Sequence, residues 1–280
     1  MLRLFVLVSS FALLGPTINA AEKLPKGVTA TSMGERIQRY DFHSAALNKK
    51  MAFVVVEPQG YRPKGKAWPV LFFLHGLGRK ETTLIDDAPS RARLLAQPYV
   101  IVLPRGENGW YFDSPVDPAR HYAQYLDEVI ALAGRVVNLS TERAQRAVGG
   151  WSAGGFGSVW ACLRHPDQFS TLATIIAVVD FPGAESRFPL TPATFGTDPA
   201  RWRDFNPLNR ATELRGLNIQ LVIGEKASDA VMNERLSAVL AAAKIPHEVK
   251  RLPGGHTFPV VQAGLGPVLD FVRQHIMPAE

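Results

Sequence analysis

Residues 149–158 read Gly-Gly-Trp-Ser-Ala-Gly-Gly-Phe-Gly-Ser, and no other stretch limits the possible folds of this chain as tightly. Gly150, Ser152 and Gly154 form a Gly-x-Ser-x-Gly. Apolar, strand-like residues (Ala147, Val148) precede it, and a helix-like run from Ser158 to Arg164 follows. The pattern predicts a strand, a sharp turn and a helix, with the serine at the apex. Glycines flank it because side chains there would clash. Such a turn lifts the serine oxygen above the edge of a sheet and aims the amides of the new helix at whatever that oxygen attacks. Ser152 is the candidate nucleophile.

The rest of the chain supplies the sheet that such a turn needs. Period-two or continuous β-rich runs occur at 37–42, 52–57, 70–74, 99–103, 146–150, 174–179, 219–223 and 247–252. Helical patterns at 121–137, 153–164, 231–243 and 260–275 fall among the later ones. Two early strands joined by short turns, then strands alternating with helices, predict an α/β protein. Its sheet is mostly parallel, of about eight strands, with an antiparallel start and helices on both faces, which is the α/β-hydrolase plan. Residues 181–215 break the rhythm and are rich in proline and aromatics, among them Phe195, Trp202 and Phe205. They are too few for a domain and read as a small insertion, not a large cap, above the carboxyl ends of the strands, where such sheets bind ligands.

The first twenty residues stand apart. Arg3 precedes an apolar run, Leu4 to Leu14, and Pro16-Thr17-Ile18-Asn19-Ala20 then resembles a cleavage region. The run is shorter than the ~20 residues of a membrane span. This predicts a signal peptide over 1–20, a single domain over 21–280, and an exported protein, periplasmic or secreted. No stable membrane insertion is expected. The only cysteine, Cys162, lies on the apolar side of the helix after the serine and reads as packing. The net charge of +6 comes from dispersed basic residues without aromatic interleaving, so no nucleic-acid partner is expected.

A serine hydroxyl needs a base to remove its proton and a carboxylate to orient that base. In this fold the chain order is serine, acid, histidine. Of the histidines after Ser152, only His256 sits in a glycine-rich loop after the last strand, Pro253-Gly254-Gly255-His256. The acid is expected on the loop after the strand at 219–223, where Asp229 is the first candidate, Glu225 its rival and Asp180 an outside choice. The plainer reading of Asp229 is a helix N-cap. Two amides must hold the oxyanion: Ala153, next to the nucleophile, and Leu77 in His75-Gly76-Leu77-Gly78. His75 itself reads as shaping that loop. Trp110 and Tyr111, with aromatics of the insertion, are expected to bind substrate as the wall of an open cleft over Ser152, and Trp151 is a further candidate substrate-binding residue.

These stretches resemble one family along nearly the whole chain after residue 20. It is the "putative esterase" branch of the α/β-hydrolases, which takes in esterase D-type enzymes, feruloyl and acetyl-xylan esterases, and mycolyltransferases. The shared segments are Phe42-His43-Ser44-Ala45-Ala46-Leu47, Trp68 to Gly76, Gly109-Trp110-Tyr111-Phe112-Asp113-Ser114, Ser152 to Gly157, His165-Pro166-Asp167-Gln168-Phe169 and Pro253 to His256. Most relatives carry methionine where Ala153 stands. The resemblance implies a serine carboxylic-ester hydrolase without metal or organic cofactor, acting through an acyl-enzyme. The expected substrate is a small-molecule or carbohydrate ester, an acyl or aryl ester of a sugar or other bulky alcohol. An acyltransferase with the same three residues is the alternative, and a binding protein on a dead hydrolase scaffold is a more distant one.

Overall fold

The computed structural model describes residues 24–180 and 192–277. The expected signal peptide, and residues 181–191 of the expected insertion, lie outside the described residues. In chain order the elements are β1 (Thr29–Ser32), β2 (Ile37–Ser44), β3 (Lys49–Val56), β4 (Val70–Leu74), α1 (Thr83–Asp86), α2 (Ala88–Leu95) and β5 (Val100–Pro104). Then follow α3 (Tyr122–Val136), β6 (Arg146–Trp151), α4 (Ala153–Arg164), β7 (Thr171–Ile175), α5 (Pro192–Phe195) and α6 (Pro199–Phe205). The chain closes with β8 (Asn218–Gly224), α7 (Ala230–Ala242), β9 (Glu248–Leu252) and α8 (Phe258–Ile276).

The strands form one sheet in the order β1-β2-β3-β5-β4-β6-β7-β8-β9. Pairing is antiparallel from β1 to β3 and between β3 and β5, and parallel from there on. This is the α/β-hydrolase architecture, with nine strands among the described residues. The strand that sequence reading misses is β1, whose four residues Thr-Ala-Thr-Ser are all exposed and carry no apolar alternation. The central strands are buried on both faces, as continuous apolar runs require. Val70, Phe72 and Leu74 of β4 face the core under α3, α4 and α7, while Leu71 and Phe73 face the core under α2 and α8. No helix among the described residues is long and apolar enough to cross a membrane.

Two expectations need correction here. The strand expected over 174–179 is instead Thr171–Ile175, because Ile176 turns to φ 42° and leaves the sheet. Every residue from 171 to 180 is buried, so hydrophobicity carried no mark of where pairing stops. The second correction concerns the aromatics. Trp110 is 1% exposed and Tyr111 2%, and both belong to the core under α3 and α4. Phe195 of the insertion stacks on Phe112 at a centroid distance of 5.3 Å, Phe205 packs tilted against the same ring at 5.0 Å, and Trp110 lies edge-on to Phe156 and Phe195. These rings glue the described part of the insertion to α4; they do not wall an open cleft. Trp151 is likewise buried, packed on Phe73 and near His75 on the other face of the sheet.

Candidate active site

Ser152 stands between β6 and α4 at the carboxyl edge of the sheet. Its φ of 56° and ψ of −121° lie outside the regions non-glycine residues favour, the strained turn expected of the motif. The turn is pinned from both sides. The Ser152 amide donates to the Ile175 carbonyl at 3.1 Å, and the Ser152 carbonyl accepts from Phe156 and Val178. Gly154 has no alternative, since a Cβ there would sit 2.1 Å from the Leu74 carbonyl oxygen.

His256, in the loop between β9 and α8, places Nε2 2.9 Å from Ser152 Oγ and Nδ1 2.6 Å from Asp229 Oδ1. With Nδ1–H donated to the carboxylate, Nε2 is left to accept the serine proton. Asp229 is wholly buried at the start of α7, yet its side chain makes no helix-capping bond. The plain cap reading is therefore not what this aspartate does. Glu225, four residues earlier, is exposed. Asp180 is committed elsewhere, accepting from Asn206 at 2.8 Å and Arg235 at 3.1 Å.

The segments that carry the two expected oxyanion amides both lie beside Ser152. The Ala153 N–H is in the first turn of α4, where helix donors have no internal acceptor. Leu77 follows Gly76, whose position is tight: a Cβ there would lie 2.9 Å from Trp151 Nε1 and 3.1 Å from Ser152 Cβ. This loop is held by buried contacts. His75 Nδ1 donates to the Gly76 carbonyl and its Nε2 accepts from the Gly106 amide, both at 2.8 Å. Burial lowers its pKa from 6.5 to about 4, so the ring is neutral and structural at neutral pH. Tyr111 Oη accepts from the His75 amide at 3.1 Å and donates to Pro104. On the exposed side of the loop, Asn108 Oδ1 accepts from the Gly78 amide at 2.8 Å. Cys162 is buried in α4 and its thiol is pushed up to about 12 by desolvation, a packing residue.

Sequence reading missed the supporting layer. Asn108 and Tyr111 hold the Gly76 loop, and Asn233 donates to Asp229 Oδ2 at 3.1 Å. Only Asn233 left a signal, as a poor helix former inside a helix, one turn after the candidate acid.

The profile of the "Putative esterase" family matches residues 44–269. An esterase of Mycobacterium tuberculosis is 25% identical over 263 residues, covering 80% of this chain and 56% of that relative. The chain thus spans about half the length of the curated relatives it matches. Among solved structures, the substrate-bound fluorophosphonate-binding serine hydrolase F of Staphylococcus aureus has a TM-score of 0.75 at 17% identity, covering 85% of this chain and 98% of that one. The S-formylglutathione hydrolase of Agrobacterium tumefaciens has a TM-score of 0.74 at 17% identity, covering 90% and 100%. At such identities the solved structures establish a common fold.

Proposed function

The chain belongs to the "Putative esterase" family of the α/β-hydrolase superfamily, and from that premise we propose that it hydrolyses carboxylic esters through an acyl-enzyme on Ser152. The observation that carries this reading is the 2.9 Å contact between Ser152 Oγ and His256 Nε2, made by a serine on a strained turn. His256 takes the Ser152 proton as Oγ attacks the ester carbonyl, while Asp229 holds the imidazole in the right tautomer and balances its transient charge. The amides of Leu77 and Ala153 receive the oxyanion; each such donor is worth on the order of 10²- to 10³-fold in kcat. His256 then protonates the leaving alcohol. A water deprotonated by the same ring frees the acid.

For the substrate, we propose an acyl or aryl ester of a sugar or other bulky alcohol. The Trp110 and Tyr111 wall no longer supports this. What supports it is that the His256 side chain, which faces the leaving group, is 21% exposed, so a large alcohol can leave without being engulfed. Ferulic acid esterases also share the fold, one at a TM-score of 0.69. The residues expected to form a signal peptide extend the proposal to a protein exported before it acts.

The test uses p-nitrophenyl acetate beside feruloyl and acetyl sugars, with Ser152→Ala as control. The variant should lose on the order of 10³-fold or more in kcat with unchanged thermal unfolding. A fluorophosphonate probe should add its mass to the parent chain and not to the variant. Substantial activity in folded Ser152→Ala would overturn the mechanism. Adding a sugar acceptor separates hydrolysis from acyl transfer, since a transferase forms the new ester in preference to the free acid.

A further inference from the structure

Between the serine and the acid runs a piece of backbone that sheet pairing does not require. β7 stops at Ile175, and Ile176 adopts φ 42°, a strained choice for a β-branched residue. The bend carries residues 176–178 over the start of α4. There the Val178 amide donates to the Ser152 carbonyl at 3.3 Å. Ala177 presses on Gly155 so closely that a Cβ on that glycine would come within 2.4 Å of the alanine's own. The Ala177 carbonyl, on the same bend, accepts from Asn233 Nδ2 at 2.7 Å.

That nitrogen also lies 3.1 Å from Asp229 Oδ2 and 3.0 Å from the Asp229 carbonyl. It has two hydrogens for three acceptors, so one goes to Ala177 and the other is shared between the two Asp229 oxygens. Because all three neighbours are acceptors, the amide cannot be turned over. Its own oxygen is buried with no hydrogen-bond partner among the described residues. A wholly buried asparagine inside a helix, with one polar atom unanswered, is a poor choice for stability alone. As a brace on a carboxylate it makes sense.

We propose that Asn233 is a positioning residue of this site, tying the Asp229 carboxylate to the 176–178 bend that also hydrogen-bonds the Ser152 carbonyl, and so keeping Oδ1 on His256. The proposal rests on the reading of Ser152, His256 and Asp229 given above. Its partners come from two separate strand ends, so it fixes the distance between acid and nucleophile as well as the rotation of the carboxylate.

The experiment compares Asn233→Leu, Asn233→Asp, Asp229→Asn and the double variant Asp229→Asn/Asn233→Leu on p-nitrophenyl acetate, with thermal unfolding recorded for each. Leucine keeps the branched shape and removes the donor; aspartate sets further oxygen among three acceptors. Asn233→Leu should lower kcat by about 10- to 100-fold with KM little changed, and Asn233→Asp should be worse. In the Asp229→Asn background the leucine should cost nothing more, since it acts through that carboxylate. The far-downfield proton resonance of His256 Nδ1–H should shift upfield or broaden in Asn233→Leu. Should leucine not be accommodated, Asn233→Ala carries the same comparison. Parent-like kcat in a folded Asn233 variant, or an equal loss in the presence and absence of the Asp229 carboxylate, overturns the proposal. Either result leaves the Ser152 mechanism standing as long as Ser152→Ala is inactive; an active Ser152→Ala removes the mechanism itself.

Discussion

His75 allows a quantitative test of how the Gly76 loop is held. Its ring is 3% exposed and both nitrogens are spent on backbone groups, Nδ1 on Gly76 and Nε2 on Gly106. Burial, the largest cause, brings its pKa from 6.5 down to about 4. The unfolded chain therefore takes up a proton near pH 6.5 that the folded chain refuses until about pH 4. Because the folded pKa is depressed, the contribution to stability is complete above pH 6.5 and lost as pH falls towards 4. At about 1.4 kcal/mol per pH unit the whole interval amounts to roughly 3 kcal/mol, of which about 2 kcal/mol is gone by about pH 4.5. The assay is urea unfolding at about pH 7 and about pH 4.5 for the parent and for His75→Gln, which removes the titration. Carboxylates that titrate in both proteins cancel in the comparison. The parent should lose about 2 kcal/mol more than the variant between the two pH values. Equal losses would refute the reasoning, and with it the claim that a neutral, buried imidazole braces this loop.

Asp229→Asn should cost on the order of 10³- to 10⁴-fold in kcat, because the amide would favour the wrong His256 tautomer; exposed Glu225→Gln should leave kcat near that of the parent, and the reverse ranking would move the acid. Tyr111→Phe leaves the His75 amide and the Pro104 carbonyl without their hydroxyl partner, so unfolding should show a loss of about 1–3 kcal/mol. An unchanged stability with a raised KM would instead return Tyr111 to the substrate.

The candidate site was legible in the sequence wherever a local rule operates. The glycines around Ser152 announce a turn that only small neighbours permit, and α4 begins and ends where the apolar run does. His256 stood out because a glycine-rich loop after the last strand must lie at the carboxyl edge of a parallel sheet. The alternation of strands and helices likewise carried the layer order, because each parallel pair needs a helix to return the chain.

What the sequence by itself determined was thus the set of elements, the serine turn, and a short loop holding two possible acids. Tertiary structure decided which of Asp229 and Glu225 meets His256: the two are four residues apart with similar chemistry, and only the packing of α7 against β8 and the 176–178 bend buries one beneath His256 and leaves the other in water. It also decided the fate of the aromatics. Trp110 and Tyr111 sit on a loop at the rim of the sheet, where position alone suggests a wall, yet positive φ at both residues turns the chain inwards onto Phe156 and the His75 loop. Ile176 is the plainest case. A buried apolar run reads the same whether it continues a strand or bends away from it, and the bend is what lets Ala177 and Val178 reach Asn233 and Ser152 together.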